Sequence, residues 1–185
     1  MVSPNEFLIL GLLSKEPMSG YDINKRIKTR MGSFWDISYG QIYPTLRMLQ
    51  KEGSVTKKVE INETGPNRKV YFITNKGITK LQEWLLIPAE PEKFKIELLL
   101  KVAFGEQIPK SKVISHIEES KARHISALKN ALSFEKEFKA NLDKSDRYFF
   151  ALLTTLLGKN LHKAAIEWAD SAIKLIEEHT EEEKR

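Results

Sequence analysis

No cysteine occurs anywhere in the 185 residues. That excludes a disulfide scaffold and any site built on thiolates, and it fits a reducing cytoplasm. The chain does not open on a basic segment leading into an apolar stretch, so no signal peptide is expected. The longest largely apolar run, residues 148–157, falls far short of the roughly 20 residues a bilayer span needs. Catalytic signatures are missing too: there is no Gly-x-Ser-x-Gly, no phosphate-binding glycine loop and no dinucleotide fingerprint. The histidines His116, His124, His162 and His179 show no helix-face metal spacing with a carboxylate partner, so each is expected at an interface or in solvent. No catalytic residue, cofactor or metal is therefore expected, and the chain does not read as an enzyme.

What is present is a lopsided charge. Residues 1–86 hold thirteen Lys/Arg and eight Asp/Glu, a net of 13 − 8 = +5, whereas residues 87–185 hold seventeen of each. The whole excess lies in the first half, which points to a polyanion partner there and to something else for the second half. A length of 185 residues allows one domain or two small ones.

The stretch 38–53 organises the first half. Ser38 followed three residues later by Gln41 is a capping-box start. Ile42, Leu46 and Leu49 recur at helical spacing, and Gly53 supplies the stop. The opposite face carries Gln41, Thr45, Arg47, Met48 and Lys51. Pro44 inside this helix removes one backbone donor, so a bend is expected. Ahead of it, Ser3-Pro4-Asn5-Glu6 opens a mostly buried helix, and Ser19-Gly20-Tyr21-Asp22 is a second capping box starting a helix to about residue 31. That second helix turns Ile23 and Ile27 inward and sets Arg26 and Lys28 outward, as a solvated face or as phosphate contacts. Phe34 and Trp35 in the following linker are expected as core anchors. After Gly53 the pattern alternates. Val55, Val59 and Ile61 answer 70–73 across the turn-rich segment 62–69, which ends in Arg68 and Lys69. Three helices and such a hairpin make a winged helix-turn-helix, with Arg68 and Lys69 placed to meet phosphates or the minor groove. Thr74 caps a fourth helix, and Pro88 and Pro91 end the domain.

The second half reads as helical throughout: a short apolar segment at 94–104, a long helix over 110–142 and a last one over 145–181. The stripe on the long helix, including Ile117 and Leu128, is interrupted by Lys121 and Glu135, and Leu161, Trp168 and Leu175 lie on the last helix. Long stripes bury best against another long helix, so a homodimer is expected with these five apolar residues at its seam. The expected fold is mainly α: a winged helix-turn-helix of three helices plus a β-hairpin wing over 1–88, and an all-helical dimerisation domain over 89–185.

The run from Tyr39 through Pro44 to Leu49, with Gly53 behind it, resembles the signature of PadR-type transcriptional regulators, where Gly-x-Ile/Leu-Tyr-Pro-x-Leu forms the recognition helix. Ser19-Gly20-Tyr21-Asp22-Ile23 fits the same pattern. Residues 94–105, the long polar helix and a final Gly158…Ala165-Ile166-x-Trp168 helix resemble the longer C-terminal domain of one subgroup. The resemblance implies a dimeric, DNA-binding regulator, a repressor on an inverted repeat, released by a phenolic or other aromatic effector. It also points to Tyr43 as a DNA contact. Base reading is expected from Gln41, whose amide can pair adenine, helped by Tyr39, Tyr43, Thr45 and Arg47, with Arg26, Lys28, Arg68 and Lys69 on phosphates. An effector is expected where the halves meet, against Trp84, Phe94 and Trp35. The residues alone leave open a second reading, a helical protein-interaction module whose winged helix is purely structural. Steep salt dependence would single out DNA binding.

Overall fold

The computed structural model describes residues 3–31, 34–60, 68–92 and 94–182. Ile61, the turn-forming segment 62–67 and the end of the polar tail, 183–185, lie outside the described residues. The chain forms two compact units, residues 1–91 and 92–185.

The first unit is a winged helix. Helix α1 (Pro4–Leu13) starts on Ser3, whose hydroxyl accepts from Asn5 N–H, and it buries Phe7, Ile9, Leu10, Leu12 and Leu13. A two-residue strand β1 (Met18–Ser19) leads into α2 (Gly20–Arg30), then α3 (Tyr39–Lys51). Strands β2 (Val55–Glu60) and β3 (Arg68–Ile73) follow, and α4 (Asn75–Leu85) completes the unit. The sheet is antiparallel in the order β1-β3-β2, with register from Val55 opposite Ile73 to Glu60 opposite Arg68, and Met18 opposite Tyr71. Strand β1 is invisible in the sequence pattern, because two residues cannot show a period. The alternation read at Val55 and Val59 marks an inner face only at its base: Val55 is buried, but Val59 is exposed. Ile42, Leu46 and Leu49 are fully buried against Ile9, Leu10, Ile23 and Ile27. Each such side chain stabilises the fold by about 1.5–3 kcal/mol. Gly53 ends α3 with φ +76°, a conformation that a Cβ would strain.

The second unit is helical. Helix α5 (Glu97–Ala103) and a short 3-10 turn (Gly105–Gln107) precede the long helices α6 (Lys110–Lys139) and α7 (Asp146–Glu182). Val113, Ile117 and Ala169 form its buried centre, joined by Leu98, Val102, Ala172, Ile173 and Ile176. The two interruptions of the α6 stripe are ion pairs across the hairpin: Lys121 with Asp170, and Glu135 with Lys159 at 2.8 Å. Lys159 and Lys139 beside the Glu135 carboxylate hold its pKa down to about 2. Among the described residues no helix is long and apolar enough to cross a membrane.

Candidate nucleic-acid interface

Helix α3 runs unbroken through Pro44. Because Pro44 has no N–H, the Gly40 carbonyl loses its partner one turn ahead. With one face of α3 sealed in the core, Tyr39, Gln41, Arg47 and Met48 stand outward. Thr45 is half-buried, and its hydroxyl donates to the Gln41 carbonyl at 2.8 Å. The Gln41 side chain closes the helix start: its Oε1 accepts from Ser38 N–H at 3.3 Å. In this arrangement Gln41 offers its amide N–H groups outward, and a two-bond contact to adenine requires it to leave the cap.

Tyr43 spans core and surface. It packs on the buried cluster, its ring meets that of Tyr39 edge-on with centroids 5.5 Å apart, and the two hydroxyls lie 3.2 Å apart. The Tyr39 hydroxyl, with partial burial, pushes the Tyr43 pKa up to about 12, so Tyr43 stays a neutral donor near neutrality. The ring passes directly over Gly20, the first residue of α2: a Cβ there would sit 2.7 Å from Tyr43 Cε1. Behind this pair Tyr71 is buried, and burial raises its pKa as well.

The C-terminal end of α3 is tied down by Lys76, whose ammonium donates to the Glu52 carbonyl at 2.6 Å. Lys80 bridges Glu52 and the buried Glu6 at 2.7 and 2.8 Å. Burial pushes the Lys80 pKa down, but the two carboxylates outweigh it and the net direction is upward. These clamps fix the helix that carries the outward side chains, and local pattern did not reveal them.

The basic residues divide into two groups. Lys28 is exposed and has no ion-pair partner among the described residues, and Lys69 likewise. Arg26 instead donates to Glu16 at 2.5 Å, and Arg68 to Asp22. Arg68 and Lys69 belong to β3 itself and not to the end of the loop.

Phe34 and Trp35 are not core anchors: both are exposed. With Phe7, Met31, Leu81 and Trp84 they line an open apolar cavity of about 360 Å³ inside the first unit. Trp84 stacks on Phe7 with centroids 4.5 Å apart, and the Trp35 indole donates to Asn5 Oδ1 at 3.0 Å. Phe94 belongs to the second unit and does not line this cavity.

Of the five expected seam residues, Ile117 must be reassigned. It is fully buried between α6 and α7 of its own chain, where it packs the hairpin and is closed to a partner. Leu128 is half-buried. Leu161, Trp168 and Leu175, seven residues apart on α7, remain 46%, 37% and 65% exposed. Two of the histidines meet across the hairpin: His124 Nδ1 of α6 and His162 Nδ1 of α7 are 3.0 Å apart. No single-helix spacing could disclose that pair. Among the described residues no group of three or more His, Asp or Glu is placed to hold a metal ion.

Residues 9–83 match the Transcriptional regulator PadR-like family, and residues 94–177 match the Virulence activator alpha C-term family. The chain is 29% identical over 178 residues to the negative transcriptional regulator PadR of Bacillus subtilis (strain 168), covering 93% of this chain and 97% of that one. The crystal structure of Bacillus subtilis PadR in complex with operator DNA is similar at a TM-score of 0.79 and 26% identity, over 95% of this chain and 99% of that one. The structure of the same regulator with p-coumaric acid is similar at 0.70 and 27% identity, over 93% and 98%. A winged helix that buries one face of a Tyr-Pro helix and presents the other, followed by a second helical domain of matching type, places this chain in the PadR-like family of transcriptional regulators.

Proposed function

We propose that the protein is a homodimeric repressor that reads an inverted-repeat operator with α3 and is released by a small aromatic acid. The observation that carries this is the division of α3: Ile42, Leu46 and Leu49 are sealed in the core while Tyr39, Gln41 and Arg47 stand outward. A helix so presented fits the major groove, with Tyr39, Gln41, Tyr43 and Arg47 near base edges and Lys28 and Lys69 on phosphates. Thr45, bound to the Gln41 carbonyl, serves the helix first. The operator complex of Bacillus subtilis PadR, alike over nearly the whole chain, supports the same docking here.

Dimerisation supplies the second half-site. The α7 stripe of Leu161, Trp168 and Leu175, extended by the exposed Phe150, Leu153 and Leu157, is the surface suited to a second copy. Two heads on one dimer span half-sites about 10 base pairs apart or a multiple of that. For the effector, the cavity flanked by Trp35 and Trp84 is the right size and polarity for one phenolic ring, and p-coumaric acid in the Bacillus subtilis structure supports that class. The setting is the cytoplasm, where DNA is, and the action is binding without catalysis.

The test is fluorescence anisotropy on a labelled duplex selected from a random library by the protein, from 50 to 200 mM salt. Affinity should fall by about 10³-fold or more over that range if six or more phosphates are neutralised. p-Coumaric acid should release the duplex and quench Trp fluorescence. Salt-independent binding would refute the DNA-reading assignment, and an unaltered complex across a panel of phenolic acids would refute the effector.

A further inference from the structure

We propose that Asp22 withholds Arg68 from the DNA backbone, so that this carboxylate limits operator affinity by removing one phosphate contact per protomer. The inference rests on the reading of α3 as the DNA helix.

The Asp22 carboxylate is held by the start of its own helix independently of Arg68. Its Oδ2 accepts from Ser19 N–H at 3.0 Å and from the Ser19 hydroxyl at 2.6 Å, closing the capping box of α2. Arg68 donates to the same oxygen, so it binds an acceptor whose ordering has already been met by the helix start. Burial raises the Asp22 pKa, but Ser19 and Arg68 outweigh it and hold the carboxyl below its ordinary range, so it is ionised at neutrality. A second acid, Glu60, stands opposite Arg68 in the β2–β3 register. Arg68 is thus the wing cation that faces two carboxylates, whereas its neighbour Lys69 is opposite Val59.

The pair also lies beside the reading helix. Asp22 is two residues beyond Gly20, over which the Tyr43 ring passes, and Tyr39 meets Tyr43. The Arg68 and Asp22 side chains remain 53% and 34% exposed, so a phosphate can approach the guanidinium. Transfer to that phosphate, however, would leave Asp22 ionised and unpaired beside a polyanion. An exposed ion pair is weak in itself. Repulsion of the uncovered carboxylate by DNA is what keeps Arg68 in place. Arg68 then neutralises Asp22, and Lys28 and Lys69 carry the phosphates.

The experiment uses the full-length protein, the library-selected duplex and anisotropy over a salt series, with wild type, Asp22→Asn, Arg68→Ala and the double variant. Asparagine keeps an oxygen for the Ser19 cap, and a thermal melt checks that each variant is folded. Asp22→Asn should steepen the fall of log K with log salt by about 0.9 per protomer, which is roughly eightfold tighter binding at 0.1 M than at 1 M salt for that contact alone. Arg68→Ala uncovers Asp22 and should bind more weakly than wild type, whereas the double variant, which lacks both charges of a pair that contacts no phosphate, should keep the wild-type slope. A wild-type slope in Asp22→Asn, or a double variant whose slope is flatter than wild type by about 0.9 per protomer, would overturn the inference. A wild-type protein that binds duplex without salt dependence would overturn the DNA-reading assignment itself and this inference with it.

Discussion

Gly20→Ala isolates the contact on which Tyr43 depends. Gly20 has no left-handed φ, so its backbone accepts alanine, and alanine at a helix start is not penalised. The obstacle is the Tyr43 ring: the new Cβ would lie 2.7 Å from Cε1, 2.8 Å from Cζ and 3.0 Å from the hydroxyl. Ordinary contact begins near 3.4 Å, so the ring must retreat by 3.4 − 2.7 = 0.7 Å. It cannot do so freely, because it packs on the core and its hydroxyl is 3.2 Å from that of Tyr39. Overpacking of this kind costs about 1–3 kcal/mol, against which glycine removal returns about 0.4–1 kcal/mol through the unfolded chain. Urea denaturation should therefore show a net loss of up to about 2.6 kcal/mol. In a Tyr43→Ala background the obstacle is gone, and Gly20→Ala should turn neutral or stabilising by up to about 1 kcal/mol. Duplex affinity should drop in Gly20→Ala, since the displaced ring carries Tyr39 with it. Equal effects of Gly20→Ala in both backgrounds, a coupling of zero, would refute the reasoning.

Gln41→Ala should relax sequence preference at one position per half-site by about 1–3 kcal/mol, read from binding to a set of single-base variants of the duplex; an unchanged profile would leave Gln41 as a cap alone. The His124–His162 pair should make the second unit acid-sensitive. Burial lowers both pKa values, helped by Arg123 for His124 and by His124 for His162. A folded pKa below the ordinary 6.5 means the unfolded chain binds protons first, so stability is full above that pH and falls as pH drops through it. The slope can be no steeper than about 1.4 kcal/mol per pH unit for each histidine. Replacing both by Gln should flatten the melting temperature between pH 7 and 5, and an unchanged pH profile would show that the pair does not titrate in this window. Trp168→Ala should shift the protein from dimer to monomer in light scattering at micromolar concentration and weaken duplex binding about 10²-fold or more through loss of the linked second head. Operator binding of wild-type strength by a monomer would remove α7 from the seam.

The elements of this fold were legible wherever one segment carries its own period. Ile42, Leu46 and Leu49 announce the buried face of α3, and Ser3, Ser19 and Thr74 announce helix starts, because capping and amphipathicity are local. Hidden were the relations across long stretches of chain. The pairing of Arg68 is invisible from its own segment because its partner, Asp22, lies 46 residues away. His124 and His162, 38 residues apart, were read singly for the same reason. Ile117 was misread as a seam residue because a stripe says that a helix has a partner and not which one, and α7 of the same chain takes that place. Lys121 and Glu135 looked like faults in the stripe for want of Asp170 and Lys159.

That difference has a consequence for the interface. Charge counting over residues 1–86 assigns every Lys and Arg an equal share in attracting DNA, but attraction at contact range depends on which cations are already neutralised. Arg26 and Arg68 face carboxylates, and Lys80 is shared between two of them, while Lys28 and Lys69 face none among the described residues. The far field of the unit, which steers encounter, still sums all of these charges. The number of counterions displaced on docking does not. Salt slopes should therefore follow the unpaired cations one by one: Lys28→Ala and Lys69→Ala should each flatten the slope by about 0.9 per protomer, and Arg26→Ala should leave it unchanged. Flattening by Arg26→Ala equal to that by Lys28→Ala would mean that net charge alone governs binding, and that the ion pairs dissolve on contact with DNA.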